Sequence, residues 1–458
     1  MRPVTTYLSS LSAIALAAAL SATPVSAETL SETLIKAYEY HPNLEVARAQ
    51  LRATDENVAN ARSGGRPTLT ARASGNMQSA EDFDGEPADS SSVGIDAGWR
   101  VFDGGAVSSR ISGAQAGVES ARASLVNTEQ TILIDAVTAY GDVRRDTQFV
   151  ALARNNVRVI SRQLSASRDR FEVGEVTRTD VAQASARLAA AQSNLVANQG
   201  ALERSRQAYI AAVGEAPGEL APPPALPDLP GTLEEAEALA MQMHPSIIGA
   251  QATVAAAEFA LDTAKSGYSP TVDLNATIEQ NSSARDRSEN VARVGVGLNV
   301  PLYRGGALSS GVRGAIATLD QRKGELLNAA RVVRQNLASA WTTFDVAEAS
   351  IRASRQEIRA ARIAFEGVSE EARLGSRTTL DVLDAEQDLL DAQSSLVSAE
   401  RDQYVAAYSL LQAMGLLTVD HLGLDVEEYD PEANFNAVQG GPYDAQRNET
   451  INRILGRF

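Results

Sequence analysis

The chain of 458 residues contains no cysteine, only three histidines and few aromatic residues, which make up 5% of it. Without cysteine it cannot form zinc fingers, iron–sulfur clusters, a thiol nucleophile or disulfides. The formal net charge of −17 argues against nucleic acid as a partner, because phosphate recognition needs a basic surface. The sequence also lacks the phosphate-binding GxxxxGK loop, a nucleophile elbow and the zinc-binding HExxH motif. We therefore expect a protein that is not an enzyme and that holds no metal or cofactor.

Residues 1–27 have the features of a signal peptide. Arg2 supplies a positive charge, residues 11–20 form an apolar run, and Val25-Ser26-Ala27 is a small-residue cleavage site. The apolar run is shorter than the roughly 20 residues that a transmembrane helix needs. No later segment is apolar enough to cross a bilayer as a helix. We expect an exported protein in which any membrane insertion uses β-strands.

Short motifs recur at an offset of 201 to 203 residues along the chain. His41-Pro42 returns as His244-Pro245, and Gly174 returns as Gly375. This self-similarity predicts two tandem structural repeats, because a fixed period is the signature of a duplicated unit. The predicted divisions are a first repeat, a Pro-rich linker, a second repeat and a C-terminal tail that we expect to be poorly ordered, at residues 28–216, 217–231, 232–417 and 418–458.

The positions of proline predict very long helices. No proline occurs at residues 88–216 or 302–430, and a Gly-Gly pair opens a helix-forming segment in each repeat. The predicted helices cover residues 106–170 and 307–371, and each would measure roughly 100 Å. A returning helix follows each, with Leu188, Leu195, Leu202 and Tyr209 spaced by sevens in the first repeat. This spacing is typical of a coiled coil, although an ordinary helical bundle shows it too.

Four short segments alternate apolar and polar residues with a period of two, at residues 68–77, 92–101, 271–279 and 293–302. Such alternation over about ten residues is typical of outer-membrane barrel strands, and a soluble half-buried sheet also shows it. Four strands cannot close a membrane barrel, and lipid does not tolerate open strand edges. A membrane location would therefore require several copies: two would give eight strands, and three would give twelve around a lumen.

The turns that join the long and the returning helices carry the most specific signal. Residues 170–181 read RFEVGEVTRTDV, and residues 374–385 read LGSRTTLDVLDA. Together with the signal peptide, the tandem repeats, the strand pairs and the long helices, they make the chain resemble the TolC family of outer-membrane efflux channels. The resemblance covers about residues 28–417.

The resemblance implies an α+β membrane protein that forms a homotrimer. Four strands per chain would build a 12-stranded outer-membrane β-barrel, continued by a long periplasmic α-helical coiled-coil barrel. The implied function is the outer-membrane exit duct of a tripartite export system, which passively conducts proteins or small toxic molecules. Its partners would be a periplasmic adaptor protein, an inner-membrane ABC or proton-driven pump, and outer-membrane lipid. The alternatives are a strand-anchored trimeric coiled-coil structural or adhesive surface protein and a soluble periplasmic scaffold.

The resemblance also places a periplasmic gate near the turns. It makes Thr179, Asp180 and Arg377 parts of the closed gate, with an Arg–carboxylate link between neighbouring coils. The chain departs from the family at Ala372, which stands where the gating tyrosine is expected. One latch hydrogen bond is therefore missing or replaced, for which neighbouring Arg373 is a candidate.

Asp381 and Asp384 are candidates for cation-selective rings. Their i, i+3 spacing puts them on one helix face, and a trimer would present two rings of three carboxylates. The resemblance agrees, since these positions match the family's acidic rings. Mutual repulsion would raise their proton affinity. Helix capping, which would apply to Asp180 as well as Asp381, and a solvated helix face are the alternatives.

Gly174 and Gly375 are expected to end the long helices, because glycine readily adopts the left-handed conformation of a helix C-terminus. The resemblance adds a second function for these exposed turns, the docking of the adaptor. Val382 and Leu383 are included in the predicted docking tips.

Overall fold

The structure, a computed structural model, describes residues 27–76, 90–283, 289–438 and 453. The predicted signal peptide lies outside the described residues, apart from Ala27. The described elements are, in chain order, α1 (Leu30–Tyr40), α2 (Pro42–Ser63), β1 (Thr68–Asn76), β2 (Ser90–Phe102), α3 (Ala106–Glu172), α4 (Arg178–Val213), α5 (Leu233–Met243), α6 (Pro245–Ser266), β3 (Thr271–Ser283), β4 (Glu289–Asn299), α7 (Ala307–Arg373), α8 (Thr379–Met414) and α9 (Pro431–Val438).

The order of elements repeats along the chain. Two short helices, two strands, a 67-residue helix and a 36-residue helix occur twice, and α9 follows. The long helices α3 and α7 begin at the predicted residues and extend two residues beyond the predicted ends. Each packs along the returning helix that follows it, so each repeat presents one long helical hairpin.

Short-range signals explain where the elements begin. His41 and His244 are N-caps, and the ring Nδ1 of each accepts the backbone N–H two residues on. A proline follows each histidine at the first helical position, where its missing N–H costs nothing. The repeated His-Pro pair is thus a helix start.

The four strands form one antiparallel sheet in the order β1-β2-β3-β4. On one face Ile95 lies opposite Ala71 and Ile278, as the alternation predicts. Neither β1 nor β4 pairs on its outer edge within the described residues. The sheet therefore exposes both edges and an apolar face.

The opposite face of the sheet is polar and carries paired charges. Asp96 accepts from Thr277 at 3.0 Å and pairs with Arg72 at 2.9 Å. Arg100 donates to Asp273 at 2.8 Å. Charges that are neutralised by neighbours on the same face fit a solvated surface on that side of the sheet.

The strands differ from their predicted limits most at β3 and β4. β3 continues to Ser283, because its polar residues still pair with the start of β2, where Ser90 lies opposite Ser283. β4 starts at Glu289 and ends at Asn299, two residues before Pro301, which has no N–H for a ladder. Backbone pairing thus extends the end of β3 and the start of β4 beyond the alternating segments.

The main core lies where the short helices pack against the middle of α3 and the ends of α4 and α8. Tyr140, Tyr209, Leu133 and Met414 are fully buried there. The heptad pattern that predicts a coiled coil thus ends in this core at Tyr209.

The C-terminal tail departs from its prediction. Poor order is wrong for residues 418–438, because Val419 is buried in the main core and α9 packs against α2. Asn434 donates to the buried Asp55 carboxylate at 2.7 Å, and the Arg122 guanidinium lies over the Phe435 ring. Sequence patterns missed this contact because α9 has only eight residues and its partners are more than 300 residues away. Residues 439–458 lie outside the described part of the chain, except Arg453.

Candidate functional site at the hairpin tips

Both hairpins turn in the same way at their tips. Gly174 and Gly375 have φ values of 80° and 81° and directly follow the C-caps of α3 and α7. The N–H of Glu175 donates to the Arg170 carbonyl, and that of Ser376 donates to the Glu371 carbonyl, each at 2.9 Å. This bond pattern is a Schellman motif, which needs a residue with positive φ. Helix termination by the two glycines is therefore observed, and both are exposed.

The returning helices start with matching capping boxes. Thr177 caps α4, and its N–H donates to Asp180 at 2.8 Å; Thr378 caps α8, and its N–H donates to Asp381 at 2.9 Å. Both aspartates therefore take part in capping, with threonine as the cap itself. Hydrogen bonds from the Thr378 backbone and hydroxyl hold the pKa of Asp381 below its usual value, and the Arg377 charge adds to this.

Within one chain the structure does not join the three predicted gate residues. Arg377 pairs with Glu371 of the same tip at 2.9 Å, and Thr179 lies exposed in the first turn of α4. Ala372 is buried, and Arg373 pairs with Glu370 of its own helix at 3.0 Å. Arg373 therefore does not replace the missing tyrosine link within this chain.

Asp384 connects the two hairpins. Its Oδ1 lies 2.6 Å from Nη2 of Arg187, so the pair bridges α8 to α4. Sequence reasoning missed Arg187, although the repeat held a signal: at the offset of 201 its counterpart is Asp388, and that of Asp384 is Gln183. A charge that is absent from the other repeat, as at Asp384, or reversed there, as at Arg187, indicates a contact that the other repeat does not make.

Two of the predicted docking residues are not available at the surface. Leu383 is buried and packs with Ile160, Leu164 and Ala184 of the first hairpin. Val382 is also buried. Their assignment to the docking tips is wrong, because α8 turns Leu383 toward α3 and α4 and Val382 toward the space between α3 and α7.

The apolar side chains that the tips do expose come just before the glycines. Val173 is 72% exposed and Leu374 is 78% exposed, and the two are equivalent in the repeats. Sequence reasoning missed them, although their shared offset of 201 was visible.

A cavity of about 170 Å³ lies between α3, α7 and α8 just above the tips. Among its lining residues, the hydroxyls of Ser167 and Ser369 have no hydrogen-bond partner in the described part of the chain. Glu386 also lines it, and burial raises the pKa of this carboxyl to about 7 against the opposing charge of Arg162. The two hairpins therefore pack incompletely at this level.

Comparison with known proteins identifies the family. Residues 34–215 and 238–416 match the family described as outer membrane efflux protein. The chain belongs to this family. It is 38% identical over 415 residues to the outer membrane efflux protein BepC of Brucella suis. The matched residues cover 90% of this chain and 91% of that protein.

Other members of the family agree with this assignment. The outer membrane protein TolC of Vibrio cholerae is 27% identical over 405 residues, which cover 86% of this chain and 92% of that protein. The crystal structure of the Campylobacter jejuni CmeC outer membrane channel superimposes with a TM-score of 0.77 at 13% identity, covering 90% of this chain and 89% of that one.

These findings confirm the resemblance, the fold class, the outer-membrane location and the channel function that the sequence predicts. The adhesive and scaffold alternatives gain no support. Among the described helices, none combines the length and the apolar character needed to traverse a bilayer.

Proposed function

We propose that three copies of the chain assemble into the exit duct of a tripartite export system. The observation that carries this proposal is the four-stranded sheet with an apolar face and two unpaired edges, set above a pair of long hairpins. In lipid such edges must be closed, and three sheets close a barrel of twelve strands that still has a lumen. The duct conducts proteins or small toxic molecules passively, and it performs no catalysis of its own.

The hairpin tips form the periplasmic gate of this duct. Thr179, Asp180 and Arg377 lie at the tips, and the exposed Arg377 can exchange Glu371 for a carboxylate of the next chain. Asp381 and Asp384 lie on one face of α8 and supply the cation-selective rings. Hydrogen bonds lower the pKa of Asp381 and so oppose the rise that repulsion between three carboxylates would cause, which keeps its ring charged in mild acid.

The same tips dock a periplasmic adaptor, which couples the duct to an inner-membrane ABC or proton-driven pump. Gly174 and Gly375 shape the turns, and Val173 and Leu374 expose apolar side chains beside them. Exposed apolar side chains at rigid helix ends favour a protein partner over water.

Single-channel recording in planar bilayers tests the gate and the ring. The wild-type protein should give small, cation-selective currents whose selectivity persists from about pH 7 to about pH 5, because the hydrogen bonds from Thr378 lower the pKa of Asp381 and oppose the rise that repulsion within the ring would cause. Asp381→Asn should weaken the cation selectivity.

Thr378→Ala is the matched control, since it removes the capping hydroxyl of the same helix start and leaves the Asp381 charge in place. Equal loss of selectivity in both variants would show that capping, and not a charged ring, is responsible. The absence of any current from the wild-type protein would contradict the duct itself.

A further inference from the structure

The cavity between α3, α7 and α8, which we name the tip cavity, is formed by three helices of one chain. Ser167 on α3, Ala372 on α7 and Leu383 on α8 line it, and all three are buried. Its volume is about 170 Å³. An apolar cavity of about 150 Å³ engineered into another protein binds benzene. The tip cavity is therefore large enough for a ligand with one six-membered ring.

Apolar side chains form part of the cavity wall. Val159 on α3, Phe365 on α7 and Val382 on α8 line it together with Leu383. A water molecule needs about two to four polar partners to be held in a cavity, and these side chains supply none. Phe365 can make the offset or edge-to-face contact that a second aromatic ring prefers. This part of the wall favours an apolar ring over water.

Two serine hydroxyls on the same wall have no hydrogen-bond partner within the described residues. Ser167 is 1% exposed, and its Oγ and that of Ser369 are buried at the cavity. A buried hydroxyl without a partner is unfavourable, so a ligand that bonds to these groups removes an unfavourable contribution. Because a hydroxyl both donates and accepts, a hydroxyl group on the ligand can bond to both serines.

The charged groups at the tip cavity favour a ligand without charge. Glu386 lines it, and burial raises the pKa of this carboxyl to about 7 against the opposing charge of Arg162. Arg170 and Arg373 line it as well. An anionic ligand would meet the ionised Glu386, and a cationic ligand would meet the two arginines. A simple phenol avoids both conflicts, because a phenolic hydroxyl ionises only near pH 10.

We propose that the tip cavity is a binding site for a small phenol, whose ring packs against Phe365 and whose hydroxyl bonds to Ser167 and Ser369. The ligand contacts α3, α7 and α8 together, so it binds only while these three helices are packed as in the structure. By mass action, bound phenol stabilises that packing. The site is part of the wall of the protein and is separate from the passage through which exported molecules move.

Titration calorimetry on detergent-solubilised trimers tests the site, with phenol as the probe. At about pH 6 the Glu386 carboxyl keeps its proton. The wild-type protein should bind one phenol per chain with a Kd on the order of 1 mM, a strength that seven non-hydrogen atoms can supply. Benzene, which lacks the hydroxyl, should bind several-fold more weakly because it leaves the two serines without a partner.

Three variants separate the hydroxyl contacts from the space. Ser167→Ala should weaken phenol binding several-fold and leave benzene binding unchanged, because it removes a hydrogen bond and keeps the cavity. Ser165→Ala is the matched control, since Ser165 is an exposed serine two residues away on α3; it should bind both probes like the wild type. Ala372→Leu fills the cavity with a larger side chain and should abolish binding of both.

Light scattering in detergent checks that each variant forms trimers. The phenol site would be overturned by wild-type trimers that take up no more phenol than empty micelles do, or by equal affinities for phenol and benzene. Unchanged phenol binding in Ala372→Leu trimers would place the ligand elsewhere. If Ala372→Leu forms no trimers, Ser167→Ala decides, because unchanged phenol binding there contradicts the hydroxyl contact.

Discussion

Asp180 and Asp381 occupy the same position in two repeats, and both accept hydrogen bonds from a capping threonine. A capping box satisfies two N–H groups at a helix start, which explains why both repeats need the acid there. Asp384 has no such local partner and pairs instead with Arg187, 197 residues away in the chain. Asp381 and Asp384, three residues apart on one helix face, thus make different contacts. Asp381 caps its own helix, and Asp384 joins the two hairpins.

Glu386 gives a pH dependence whose sign follows from its burial. Its pKa of about 7 lies above the ordinary 4.5, so between these values the folded chain holds a proton that the unfolded chain has lost. Stability therefore falls as the pH rises through this interval. Arg170 and Arg373 line the same cavity, and the charge of the nearby Arg162 opposes the rise in the pKa of Glu386.

We predict that Glu386→Gln flattens this dependence. The melting temperature of purified trimers should fall less between about pH 5 and about pH 7 in the variant than in the wild type, because glutamine does not ionise. Glu370→Gln, at an exposed carboxylate of the same tip, should keep the wild-type slope. Identical slopes in Glu386→Gln and the wild type would show that this carboxyl titrates normally.

At the scale of elements, each long helix and its returning partner behave as one rigid hairpin, and the exposed tips are where another protein can reach it. Replacing Val173 and Leu374 together by serine removes the apolar tip surface without touching the Schellman turns. We predict that this double variant assembles normally but retains much less adaptor in co-purification and exports poorly.

Gly375→Val should have the same effect on export for a different reason, since valine is strained at a φ of 81° and distorts the turn. Ile363→Ser is the control, because Ile363 is as exposed as the tip residues but lies about three turns above them on α7. Loss of adaptor in the control alone, or full export in both tip variants, would refute docking at the tips.

At the scale of the whole molecule, the two faces of the sheet meet different surroundings. Val296 lies on the apolar face, which in the assembled barrel contacts lipid, and neighbouring Gly295 lies on the polar face toward the lumen. Arginine on a lipid-facing strand position costs about 2–4 kcal/mol near the middle of the bilayer. Arginine in the lumen meets water.

We predict that Val296→Arg sharply lowers the yield of trimers in the outer membrane and that Gly295→Arg does not. The glycine position is a fair control, because a Cβ added there meets no atom within 4 Å. The measurement is the amount of trimer that requires detergent for extraction. Equal yields from the two variants would mean that the sheet does not lie in lipid.

The sequence by itself determined the elements that depend on near neighbours. Proline-free segments, Gly-Gly pairs, His-Pro caps and period-two alternation act within a few residues, so they fix where α3, α7, β1 and β3 start. The duplication then gave the architecture, because two similar halves each supply one hairpin and two strands.

Only the tertiary structure decided the contacts between distant segments. Leu383 has an ordinary coiled-coil spacing, which does not tell which helices it contacts. It is buried because the first hairpin lies against it. The Arg187–Asp384 pair and the docking of α9 on α2 join residues almost 200 and more than 300 positions apart. Such contacts depend on how rigid helices are placed in space, and no local pattern of residues encodes that placement.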